Sequence, residues 1–139
     1  MVFPAGAPPP ATGGTLRNGR YTPTRIDVYN QASDPTFATY EMTFEFRDGF
    51  VQAGYGVFIG TGAVLGSDEV EFVGTVTPSG TSLQFDVDSC ATGSCTSVTG
   101  ISCDLPTSIA YTATANGLVT FLPTGNLGQV TLVTTYARQ

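Results

Sequence analysis

The sequence predicts an all-β domain, an antiparallel up-and-down sheet of about eight strands closed into a barrel. Three observations carry this. Apolar residues recur with period two, the spacing that lines one face of a strand. The alternating runs are separated by short turn signals such as Arg47-Asp48-Gly49, Pro78-Ser79-Gly80 and Asn116-Gly117. Helix formers are scarce: the chain has no lysine and only four glutamates, while β-branched residues are abundant.

The strands follow in order. The first opens at Asn18-Gly19-Arg20-Tyr21 and alternates toward Tyr29. "ATYEMTFEF" places Ala38, Tyr40, Met42, Phe44 and Phe46 on one face and Thr39, Glu41, Thr43 and Glu45 on the other. After Arg47-Asp48-Gly49, Val51, Ala53, Tyr55, Val57 and Ile59 continue the pattern. "EVEFVGTV" then sets Val70, Phe72, Gly74 and Val76 against Glu69 and Glu71. Leu83, Phe85 and Val87 alternate with Gln84, Asp86 and Asp88. Beyond a cysteine-bearing loop, roughly 89–105, come "TSIAYTATA", "LVTFL" and "QVTLVTTYAR". Closure into a barrel removes the edges that so long a sheet would expose, and Gly54, Gly56 and Gly74 suit bends in its wall. A two-sheet β-sandwich gives the same alternation and stays open as the alternative.

The 139 residues suit one domain. Residues 1–15, centred on "APPPATGG", read as a flexible Pro/Gly-rich tether, and 16–139 as the folded unit. Deleting such a tether is expected to leave the thermal midpoint almost unchanged. Only 12% of residues are charged, about half the usual share. With a cysteine cluster, this points to a secreted, periplasmic or cell-envelope protein whose export signal is not in the sequence.

The net charge of −6 argues against nucleic acid and anionic membrane surfaces as partners, since both need clustered positive charge. No run is long and apolar enough for a membrane-spanning helix, so direct membrane insertion is not expected. The chain has neither histidine nor lysine, which removes Ser-His and Cys-His activation and Schiff-base chemistry. No catalytic residue and no cofactor is expected, and the chain reads as a non-enzyme. The carboxylate pairs Glu69/Glu71 and Asp86/Asp88 fit the solvated face of a strand better than a catalytic or calcium site.

Cys90, Cys95 and Cys103 lie in "CATGSCTSVTGISC". A disulfide between Cys90 and Cys95 is expected, with Cys103 as an alternative partner to either. Three thiolates without a fourth ligand make an incomplete zinc site, so no metal is expected.

The opening Gly19-x-Tyr21 and the terminal Arg138 together resemble the lipocalin-like (calycin) barrels. There a Gly-x-aromatic starts the first strand and a basic residue at the end of the last packs across that aromatic. Here the aromatic is tyrosine, where that family usually has tryptophan. The resemblance implies that Gly19, Tyr21 and Arg138 close one end of the barrel. The aromatic-rich inward face then implies a cavity for a small hydrophobic molecule, lined by Tyr40, Phe44, Phe72, Phe85, Tyr111 and Ala113. A structural or interaction module of the envelope or an extracellular assembly, without a ligand, is the competing reading.

Overall fold

The structure, a computed structural model, describes residues 2–29, 36–61, 64–92, 107–124 and 130–139; within these, the side chains of 36–41, 55–61, 64–72, 87–92, 124 and 130 are not described. Eight strands run in chain order: β1 (Gly19–Tyr29), β2 (Thr36–Arg47), β3 (Phe50–Thr61), β4 (Val64–Ser79), β5 (Ser82–Thr92), β6 (Ser108–Ala113), β7 (Gly117–Thr124) and β8 (Val130–Arg138). Each pairs antiparallel with the next, and β8 pairs with β1 to close the barrel. The sandwich alternative is thereby excluded. No helix occurs among the described residues.

The short turns collect at one end, here called the base. Asp48 and Gly49 join β2 to β3 with φ of 50° and 86°, two left-handed residues as a type I′ turn requires. Asn18 clamps this turn: its Nδ2 donates to Asp48 Oδ1 at 2.7 Å, and Asp48 N donates to Asn18 Oδ1 at 2.9 Å. Residues 114–117 join β6 to β7, with Thr114 N donating to Gly117 O at 3.0 Å. Gly117 serves there by close approach, because a methyl on it would meet the Tyr136 carbonyl oxygen.

Inside, Phe44 is the hub. Its ring stacks on Phe46 at 5.3 Å and Phe85 at 6.2 Å, and meets Tyr136 edge-on at 5.4 Å. Tyr21, Met42, Val51, Ala53, Val76, Leu83, Ile109, Tyr111 and Leu118 complete the core. These are the alternating positions that the period-two pattern assigns to one face.

The ladder between β1 and β2 is short, running only from Gly19↔Phe46 to Tyr21↔Phe44. Pro23 explains why. Gln139 N donates to Arg20 O, so Arg20 turns its backbone groups toward β8, and by alternation Tyr21 and Pro23 turn theirs toward β2. Proline has no N–H to give there, so the ladder ends. A register shift between Pro23 and Arg25 follows, and β1 continues upward beside β8 alone.

The expected tether docks on the barrel instead of standing off it. Val2 N donates to Ile26 O and Val28 N to Val2 O, both at 2.9 Å, so Val2 adds a short parallel bridge to the β1 edge that β2 leaves. At its other end, Gly13 N donates to Tyr111 O and Ala113 N to Gly13 O, both at 2.8 Å. Thr12 N reaches the Thr112 hydroxyl at 2.9 Å. Between these anchors lies an outward row, Asp27–Val133–Phe121, paired across β1, β8 and β7. Its members face away from the core, yet are only 8%, 4% and 7% exposed. We attribute that cover to the segment joining the two anchors. The composition of 1–15 suggested a free chain. Its backbone groups nevertheless find partners on β1 and β6 where the regular ladders stop.

Candidate functional site

The base is sealed by the chain entering β1. Tyr111, buried at 1% exposure, donates its hydroxyl to Gly14 O at 2.6 Å. Leu16 packs against the core, and the buried Tyr21 donates its hydroxyl to Arg17 O at 2.9 Å. Residues 13–17 thus form a floor whose carbonyls satisfy two buried phenols, which would otherwise cost roughly 1–3 kcal/mol each.

Tyr21 and Arg138 are register partners on β1 and β8. The ring contact of Tyr21 is Phe46, edge-on at 5.4 Å. The Arg138 stem lies over Gly19, where a Cβ would fall 3.1 Å from its Cγ. Gly19 also has φ of 142°, so both its backbone and its neighbour require glycine.

The expected cavity residues divide. Phe44 and Phe85 are buried in the aromatic core, and Tyr111 sits above the floor. Ala113 lies at the sealed base under Gly13 and Gly14 rather than toward a mouth: a Cβ on Gly14 would stand 3.4 Å from its own. Tyr40 pairs with Val57 and Phe72 with Ala53 and Cys90; the side chains of Tyr40, Phe72 and Cys90 are outside the described residues, as are Cys95 and Cys103 entirely. The expected disulfide therefore falls outside the described residues.

Halfway up the interior stands a polar group that the sequence reading did not single out. Thr120 on β7 pairs with Thr134 on β8, and both are buried, at 4% and 5% exposure. Their hydroxyls meet that of Tyr136, whose pKa burial pushes up to about 12, the two hydrogen bonds offsetting part of the rise. A void of about 10 Å³ adjoins them, bounded by Met42, Ile109, Leu122 and Leu132. That is about the space of one water. The clue was present in the alternation, since Thr120 and Thr134 occupy positions of the apolar period.

The buried phenol predicts a pH dependence. An unfolded tyrosine ionises near pH 10. Between about pH 10 and 12 the unfolded chain loses this proton while the folded chain keeps it, so stability falls as pH rises. The loss reaches about 2–3 kcal/mol near pH 12. Urea unfolding at about pH 9 and pH 11.5, compared with Tyr136→Phe, should show this component in the parent and not in the variant. An equal pH dependence in both would remove Tyr136 as its source.

Among the described residues the barrel is closed, its base is plugged by residues 13–17, and a group of three hydroxyls stands at mid-depth. No protein-family model, curated protein or solved structure matches the chain.

Proposed function

We propose that the chain is an exported, non-catalytic, lipocalin-like barrel that holds a small hydrophobic molecule in the half of the barrel beyond Tyr136. The observation that carries this reading is the Tyr136–Thr120–Thr134 group beside a void, above a floor sealed by residues 13–17. Hydrogen-bonded to one another, the three hydroxyls are tolerated in the apolar interior, and they also line a void. As the end of a ligand cavity they would fix one polar atom of an otherwise apolar guest. The sealed base leaves the far end for entry. The absence of histidine and lysine from the sequence favours binding without chemistry.

A neutral dye with a carbonyl group, such as Nile red, should bind saturably at about one per chain and be displaced by apolar metabolites. Tyr136→Phe should weaken it about fivefold, the worth of one hydrogen bond. No saturable binding to a chain that still shows a sharp thermal transition would instead favour the structural or interaction module.

A further inference from the structure

A crevice of about 180 Å³ opens on the outer wall where β1 parts from β2, lined by Arg20, Thr43, Phe44, Glu45, Gln52, Ala53 and Gly54. It does not communicate with the core through Phe44 and Ala53, each 1% exposed. It exists because Pro23 ends the β1–β2 ladder one step above and because Gly54 puts no side chain over the row below. That row is Arg20↔Glu45↔Gln52 across three strands. Glu45 stands directly opposite Arg20, yet its Oε1 pairs with Arg47 at 2.6 Å. Arg25 is likewise paired, with Asp27 at 2.8 Å. Arg20 has no carboxylate partner among the described residues, in a chain with eleven acidic residues and five arginines.

We propose that this crevice binds a small zwitterion, a free α-amino acid or a molecule with the same head group. Arg20 offers a fork of N–H donors that matches a carboxylate in two places. Arg47 holds only Oε1 of Glu45, so the carboxylate still offers a negative partner for an ammonium at the same wall, and the Gln52 amide supplies both a donor and an acceptor. A wall that carries both signs selects against a plain anion, and the net charge of −6 does so again at long range. The volume sets the size. It falls below the roughly 300–1,000 Å³ of sites for drug-sized ligands, so a guest of a few heavy atoms fits. The Thr43 hydroxyl already donates to Gly54 O at 3.4 Å and stays at the rim. This site is independent of the barrel interior, and either could exist without the other.

The test is an NMR titration of the whole chain with L-alanine, acetate and methylammonium, followed at the Arg20 Nε–H, the Gln52 side-chain amide and the Thr43 backbone amide. Alanine should shift all three saturably with millimolar affinity, and either half-probe should bind at least about tenfold more weakly. Arg20→Gln should weaken alanine by about tenfold or more with the rest of the spectrum unchanged, while Arg17→Gln leaves the affinity as it was. Three results would each overturn the proposal: no saturation by tens of millimolar alanine, acetate binding as tightly as alanine, or full affinity in a folded Arg20→Gln.

Discussion

Removal of residues 1–16 is expected to lower the thermal midpoint by about 10 °C, corresponding to about 3 kcal/mol for a domain of this size. The gross loss is larger. The Tyr111 hydroxyl loses its acceptor on Gly14, a buried donor left unmade at roughly 1–3 kcal/mol. Leu16 leaves the core, worth roughly 1.5–3 kcal/mol more. The backbone bonds of Val2 and Gly13 to β1 and β6 vanish as well. Against this, the truncated chain no longer has to order the segment, and the low conformational freedom of its proline-rich tract keeps that offset below the gross loss.

A point variant separates the anchor from the mass of the segment. Gly13 has φ of 69° and lies against the Gly80 carbonyl, which a methyl would strike. Gly13→Ala should therefore reproduce much of the loss, about 2 kcal/mol, without removing a single contact elsewhere. Differential scanning calorimetry of both variants is the measurement. A midpoint within about 2 °C of the parent for the deletion would mean that the segment does not hold the base in solution.

The docking of this segment marks where sequence reading stopped. Alternation alone placed Phe44, Phe46, Ala53, Leu83, Phe85 and Tyr111 on the core face, because strand geometry forces every second side chain to one side. It also located the turn at Asp48-Gly49, where two left-handed residues are needed. Val133 and Phe121 face away from the core, on the side that alternation leaves to solvent. We attribute their burial to the segment between Val2 and Gly13, whose composition carries no period. Gly13 was one glycine in a flexible-looking tract until its neighbour Gly80 was known. Pro23 was the legible signal left unused. A proline within an alternating run argues for an edge, and that edge is what admits Val2 and opens the crevice at Arg20.

The Thr120–Thr134–Tyr136 group was hidden for a different reason. Threonine at an inward position is indistinguishable, by periodicity, from any β-branched filler. Only the pairing of β7 with β8 brings the two hydroxyls to one tyrosine. Ala113 lies at the base, a depth along the barrel that alternation does not give, since it fixes only the face of a strand. Its place at the base depends on where β6 ends and Gly13 begins.

Phe44→Ala is expected to be the most damaging single substitution in the described core, at about 4 kcal/mol. Phe44 is 1% exposed and joins rings from β2, β5 and β8: Phe46, Phe85 and Tyr136 lie 5.3, 6.2 and 5.4 Å from it. Truncation removes the transfer free energy of the ring and leaves a hole that three separate strands would have to close. The barrel resists such collapse, since β2 is pinned to β3 along its whole length, from Thr36↔Thr61 to Arg47↔Phe50. Each lost aromatic contact adds about 0.5–1.5 kcal/mol in favourable geometry. Phe85→Ala should cost less than Phe44→Ala, because Phe85 sits at 9% exposure against 1% for Phe44. Phe44→Leu, which keeps most of the volume but loses all three ring contacts, should cost about 2 kcal/mol. Urea unfolding of the three variants supplies the order. If Phe85→Ala proved the costlier truncation, or Phe44→Ala fell below about 2 kcal/mol, the ring at position 44 would not be the hub that joins the two sides of the barrel.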